Sequence, residues 1–191
     1  MNLKKVLKNI GSIQTGLFTK PVSDGDTIYL QSKHFDEFGN LNTVLHPDLK
    51  SDKLIEKHLL KHGDVLFAAK GTKNFAFCFQ LNDLPAVAST SFFVIRIYEK
   101  FNHKVLPDFL AWSLNQPKTL NLLKDQAMGT SIVSISKTVL EDLEIAIPPI
   151  QIQKNILHIS KLRDQEKVLT QQIEQLREKQ IQQQIINAIN L

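Results

Sequence analysis

Cysteine is almost absent: Cys78 stands alone among 191 residues, which excludes an intramolecular disulfide and fits a reducing compartment. It sits in the apolar run Phe75-Ala76-Phe77-Cys78-Phe79, where a small core thiol is expected rather than a nucleophile. Nowhere do about 18 apolar residues follow one another, as a membrane helix needs. Residues 1–13 scatter lysines among their apolar positions and lack the core of a leader peptide. A soluble, cytoplasmic protein with no membrane partner is expected.

Catalytic patterns are missing as well. The seven glycines (Gly11, Gly16, Gly25, Gly39, Gly63, Gly71 and Gly129) are scattered and form no phosphate-cradling loop. His58 and His62 have the four-residue spacing of a zinc pair, but Leu59 stands where the metalloprotease motif has its glutamate base. A solvated helix face is the reading for both. There is no Gly-x-Ser-x-Gly, no aspartate-rich metal cluster and no Asn-Pro-Pro-aromatic run of the kind associated with adenine methyltransferases. No catalytic residue, metal or cofactor is assigned to the chain.

Charge of either sign is modest. Against 23 basic residues stand 19 acidic ones, for a net +4, which leans only slightly toward an anionic partner. The apolar fraction of 42% suffices for one packed core.

What the sequence does have is a long glutamine-rich tail behind Pro148-Pro149. Two residues without amide protons exclude a helix running through them, so the helix starts after them, with Pro149 suited to its first turn. Ile152, Ile156, Ile159, Leu162, Leu169, Ile173 and Leu176 then recur at steps suited to a helix-packing seam, with Glu166 and Gln180 as polar exceptions. After Leu176 the next apolar residues are Ile181, Ile185 and Ile189, and the five-residue step moves the stripe round the helix. A helix of this length measures roughly 60 Å and needs a partner.

Upstream, the spacing gives a mixed α+β order. Residues 3–13 suit a strand or a helical turn. Residues 27–30 and 31–35 read as extended, turning through 36–40 into a hairpin with 41–45. A helix is expected over 52–60, ended by Gly63. Strands follow over 65–69, 76–80 and 86–97, then helices opened by Pro107 and Pro117, a short turn or helix over 134–143, and a last strand over 144–147. The expected organisation is a globular domain over 1–148 and a helical arm over 149–191.

Several loops combine cations with small hydroxyls and amides: Lys33-His34, residues 70–74, Ser89-Thr90-Ser91 and Gly129-Thr130-Ser131. That mixture suits phosphate and base-edge contacts, although turn chemistry alone favours the same residues.

Read in order, six stretches resemble the DNA-specificity subunits of type I restriction-modification systems. They are Ile13-Gln14-Thr15-Gly16-Leu17-Phe18; residues 28–34 before an acidic-glycine turn; residues 60–72, Leu60-Lys61-His62-Gly63-Asp64 through Thr72; residues 88–94, Ala88-Ser89-Thr90-Ser91-Phe92-Phe93-Val94; Gly129-Thr130-Ser131; and residues 143–156, Leu143-Glu144-Ile145-Ala146-Ile147-Pro148-Pro149 through Ile156. The resemblance implies a target recognition domain that reads a few base pairs, followed by a helix that packs antiparallel on a matching helix. The usual subunit carries two such units; this chain has one, so a homodimer is implied, in which the seven seam residues meet a second copy. It further implies double-stranded DNA as ligand and a methyltransferase subunit, bearing S-adenosylmethionine, as partner. A restriction subunit joins where the system has one. On the matched loops the candidate DNA contacts are Gln14, Thr15, Lys20, Lys33, Lys70, Thr72, Lys73, Asn74, Thr130 and Ser131, with lysines placed at phosphates and Gln14 and Asn74 at bases. The competing reading is a coiled-coil interaction scaffold without DNA sequence specificity.

Overall fold

The computed structural model describes residues 3–36, 39–71, 73–80, 84–127 and 134–189. Strands β1 (Leu3–Val6) and β2 (Gly11–Thr15) flank a 3-10 turn; β3 (Thr27–Leu30) and β4 (Pro47–Leu49) precede the short helix α1 (Lys53–Lys57). Then come β5 (Val65–Ala68), β6 (Ala76–Cys78), β7 (Ala86–Ala88), β8 (Phe92–Ile97), α2 (Pro107–Leu114), α3 (Pro117–Asp125), α4 (Lys137–Glu141), β9 (Glu144–Ile147) and α5 (Ile150–Ile189). The chain divides into two compact units, Met1–Gln153 and Lys154–Leu191.

The fold class is α+β, and the globular unit is layered. A central antiparallel sheet runs in the order β2-β8-β5-β6, a second sheet in the order β4-β3-β7, and β1 pairs with β9. The Val-Leu-Phe-Ala sequence of β5 explains the layering, because successive side chains point to opposite faces and all four are buried. Val65 and Phe67 join Ile13, Phe93 and Ile95 in a core completed by Leu110, Leu114, Leu140 and Ile145. Leu66 and Ala68 point the other way, into a core with Ile28, Leu30, Phe75, Ala86 and Phe92. The rings of Phe35, Phe75, Phe77 and Phe92 meet there, Phe77 and Phe92 edge to face at 5.9 Å.

Local chemistry sets the helix starts. Asp52 Oδ1 accepts from the amides of Leu54 and Ile55, both at 2.8 Å, and Ser136 Oγ accepts from Val139 at 3.2 Å, satisfying first-turn donors. Prolines occupy the opening positions of α2 and α3. Asn115 covers β6 at the sheet edge: its Oδ1 accepts from Ala76 N and its Nδ2 donates to Ala76 O, both at 2.7 Å, as a neighbouring strand would.

Five expectations need correction. The strand expected over 86–97 is two, because Ser89–Ser91 turns the chain, with the Phe92 amide donating to Ser89 O at 3.0 Å and the Ser89 and Ser91 hydroxyls 2.6 Å apart. So β7 pairs parallel with β3, while β8 crosses to the central sheet. The hairpin into 41–45 reduces to one bridge, Phe35 to Leu41, and β3 takes Pro47–Leu49 as its antiparallel partner. Residues 32–34, expected extended, form a 3-10 turn. The helix expected over 52–60 stops at Lys57, and Gly63 (φ +86°) serves a separate turn closed by Asp64 N donating to Lys61 O. His58 caps that helix, so His58 and His62 do not share a helix face. The expected turn at Glu37-Phe38 lies outside the described residues.

Helix α5 has the expected span, with Pro149 contributing the first carbonyl acceptor, to the amide of Gln153 at 3.1 Å. The compact unit reaches Gln153 because that side chain is fully buried. Its Oε1 accepts from Leu106 N at 2.9 Å, and its Nε2 donates to Lys104 O at 2.6 Å and Pro148 O at 2.7 Å.

Candidate nucleic-acid interface

Strand polarity collects the candidate loops at one end of the sheets. Because β2 and β5 run antiparallel to β8, the last residues of β2 and β5 lie beside the first of β8: Thr15 opposite Phe93, Ala68 opposite Phe92. Backbone bonds tie the neighbouring loops together: Leu17 N donates to Ala88 O at 2.8 Å, Ser89 N to Leu30 O at 2.8 Å, Ala69 N to Ser91 O at 3.0 Å, and Ile135 N to Ala69 O at 3.0 Å. Gly16 is needed at this junction, for a Cβ there would stand 2.1 Å from Ser89 O.

The end therefore gathers the turn after β3 and the segments on either side of β5 and β8. Gln14 and Thr15 are exposed on β2, Lys33 is exposed in the 3-10 turn after β3, and Lys70 and Lys73 are exposed on the β5–β6 connection, where Lys70 bridges to Ser134. Lys20 is exposed on the segment following Leu17. Among the described residues none of these four lysines forms an ion pair. Lys33, Lys70 and Lys73 thus stand at this end as cations without an ion-pair partner among the described residues, the chemistry that suits phosphate oxygens. Thr72, Thr130 and Ser131 lie outside the described residues.

One candidate, and the histidine beside another, have other duties. Asn74, expected to read bases, is buried and donates through Nδ2 to Ala68 O at 3.0 Å, closing the β5–β6 connection from within. The residue is drawn inward because its short amide satisfies a carbonyl that leaves the strand ladder. His34, grouped with Lys33 as a cationic pair, accepts from the Gln31 amide through Nδ1 at 3.3 Å. Burial first, then the Lys33 charge, holds its pKa below the ordinary value, so it is neutral near pH 7.

The segment 57–59, which leaves the end of α1, also borders this surface, without a signal in the loop compositions. Gln14, Thr15, Lys57, His58 and Arg96 line a cavity of about 10 Å³, room for one water and far too small for a nucleotide or cofactor. Arg96 fixes the loop: Nε donates to Asp64 Oδ1 at 2.7 Å, Nη2 to Asp64 Oδ2 at 2.5 Å and to Leu59 O at 3.3 Å. The hydrogen bonds that Arg96 donates to Asp64 raise the Arg96 pKa against the opposing effect of burial. A lone arginine in the apolar strand Phe-Phe-Val-Ile-Arg-Ile was the signal in the sequence.

Arg96→Ala should cost about 3 kcal/mol, because the buried Asp64 carboxylate loses its bidentate partner. Urea denaturation reads the loss, and adding Asp64→Asn should recover part of it, since the amide keeps the acceptor for Lys61 N, bonded at 2.8 Å. Unchanged stability in Arg96→Ala would remove Arg96 from this role.

The Cys78 thiol is half-buried, and burial, with Asp108 next, pushes its pKa up to about 12. That suits a core thiol. Among the described residues no three His, Cys, Asp or Glu side chains come together as a metal site, and no helix is long and apolar enough to cross a membrane.

On the helix, Ile152, Ile159, Leu162, Leu169, Ile173 and Leu176 are exposed and Ile156 is half-buried.

A family model described as the type I restriction modification DNA specificity domain matches residues 26–186. Among solved structures, the chain is similar to an S subunit of a type I restriction-modification system from M. genitalium, with 15% identity and a TM-score of 0.56 over 86% of this chain and 39% of that one. It is similar to the HsdS subunit from Thermoanaerobacter tengcongensis, with 18% identity and a TM-score of 0.61 over 87% and 44%. A third similar chain comes from a structure described as showing complex assembly and conformational transition of the type I R-M system, with 14% identity and a TM-score of 0.59 over 88% and 40%. The chain thus spans roughly two fifths of the length of these three. Curated proteins yielded no sequence match.

Proposed function

This chain belongs to the type I restriction-modification DNA specificity family, and from that premise we propose that it reads one half of a two-part DNA site and brings a separate methyltransferase to it. Membership makes the chain a specificity module rather than an enzyme. S-adenosylmethionine binds on the methyltransferase subunit, and a restriction subunit joins where the system includes one. Two copies pair antiparallel through α5, so the preferred DNA carries two inverted copies of one half-site. The complex works in the cytoplasm, on the DNA it reads.

The observation that carries this reading is the convergence of Gln14, Thr15, Lys33, Lys70 and Lys73 at one end of the sheets, in a chain of a DNA-specificity family. Lysines hold phosphates at any sequence, whereas Gln14 reads base edges.

The test is one set of binding and activity measurements. The purified chain with S-adenosylmethionine should transfer no methyl group to DNA, and adding the methyltransferase subunit should produce methylation at an inverted two-part site. Lys70→Ala with Lys73→Ala should weaken duplex binding about tenfold or more near physiological salt and lower the salt slope by about 2, since each lost phosphate contact removes close to one released counterion. Methyl transfer by the chain alone, or binding indifferent to salt, would overturn the proposal.

A further inference from the structure

Phenylalanine is kept inside this protein with one exception. Among the described residues every other phenylalanine is buried or half-buried, whereas Phe18 is 76% exposed. A lone exposed apolar side chain is ordinary on a protein surface. The position of this one is informative, because it follows directly on Leu17 at the end of the sheets where Gln14, Thr15, Lys33, Lys70 and Lys73 gather.

The backbone carrying the ring is pinned by three bonds. Gly16 N donates to Phe92 O at 3.0 Å, Leu17 N donates to Ala88 O at 2.8 Å, and the buried Tyr29 donates its hydroxyl to Leu17 O at 2.8 Å. Leu17 is thus held at both its amide and its carbonyl. A ring on a fixed backbone, with two torsions of its own, loses little conformational freedom when it makes a contact.

Other apolar side chains flank the same end. Ser89 N donates to Leu30 O, Asn42 N donates to His34 O at 3.0 Å, and Phe35 bridges to Leu41, so the segment after Leu41 starts beside the turn that carries Lys33. Leu41 and Val44 on it are both exposed. Unpaired lysines and uncovered apolar groups therefore border one another.

Lysines draw a duplex to this end without telling one sequence from another. An apolar ring recognises a different group from those that Gln14 and Thr15 can bond. On the base edges of the major groove the apolar group is the thymine C5 methyl, and phenylalanine is among the side chains suited to it. Resting on the DNA reading proposed above, we propose that Phe18 packs on a thymine methyl of the half-site, making an A·T pair part of the sequence that the chain prefers.

The full chain tests this with one change in the protein and one in the DNA. Duplexes that the chain selects from a random library define its half-site, and each thymidine there is replaced in turn by deoxyuridine, which removes only the methyl. At one position the replacement should weaken binding by the parent about three- to fivefold, the effect of one buried methyl group. Phe18→Ala should keep the parent's melting temperature, bind the thymidine duplex more weakly by at least that factor, and no longer distinguish it from the deoxyuridine duplex. Phe18→Leu should retain part of the discrimination. If the parent selects no sequence at all, the DNA-specificity reading fails and this contact with it. If it selects a half-site in which no thymidine is sensitive, or if the effects of Phe18→Ala and deoxyuridine simply add, the DNA reading stands and the contact is overturned.

Discussion

Replacing Leu169, Ile173 and Leu176 together with glutamine should yield monomers with a folded globular unit and an affinity for the paired DNA site lower by roughly 10²–10⁴-fold. The three residues occupy the middle of α5, and each is about half exposed or more in the single chain. Their apolar surface has no cover within the described chain, so under the proposed pairing it is association that buries it. Glutamine keeps the helix, being a good helix former, and removes the transfer free energy of three side chains per copy, about 1.5–3 kcal/mol each when fully buried. The DNA effect is larger than the contact effect, because pairing turns the second half-site into an intramolecular encounter. A single half-site should be bound by variant and parent alike. Light scattering and gel shifts on one-site and two-site duplexes check this. A variant that still pairs, or a parent that prefers an asymmetric site, would sink the half-subunit reading.

Gln153→Ala should cost about 4 kcal/mol and lower the melting temperature by about 10 °C, a large effect for one residue on a helix surface. The side chain is fully buried and all its hydrogen bonds go to backbone groups: Leu106 N, Lys104 O and Pro148 O. Truncation strands those groups, each at about 1–3 kcal/mol, and leaves a cavity. Gln153→Glu keeps the volume but turns the donor end into an acceptor facing two carbonyl oxygens. The folded state then favours the protonated acid and raises its pKa, so this variant should lose stability as pH rises through and above the ordinary carboxylate range. Thermal melts at pH 5 and pH 7 check the sign. Equal melting temperatures for Gln153→Ala and the parent would remove the anchor.

The helices were the most legible part of the sequence, since each is announced by something local. Pro107, Pro117 and Pro148-Pro149 mark starts, and seven spaced apolar residues mark the face of α5. The strands were legible as apolar runs, but their partners were not. Ser89-Thr90-Ser91 interrupts no apolar pattern strongly enough to reveal that β7 and β8 lie in different sheets, because that division rests on pairing with distant β3 and β2. At the candidate interface, composition placed Lys33, Lys70 and Lys73 on exposed loops but could not separate them from Asn74, whose role depends on the Ala68 carbonyl lying within reach. Gln153 was hidden among many glutamines. Its signal is spacing: Ile150, Gln153 and Leu157 share a face apart from the seam, and a lone amide between apolar residues there marks a buried partner.

Pairing β1 with β9 also fixes an order of events during synthesis. Leu3–Val6 emerges far ahead of Glu144–Ile147, and at about 5–20 residues per second β1 waits on the order of ten seconds with both edges bare. Leu7, Ile10 and Ile13 wait with it, since their core includes Leu143, Ile145 and Ile147. Until the last strand arrives, that exposed apolar surface and the unpaired strand are the most aggregation-prone part of the nascent chain. The ribbon then closes as α5 begins to leave the ribosome. The globular unit is thus complete before most of α5 has emerged, so the pairing proposed for α5 would follow the folding of that unit.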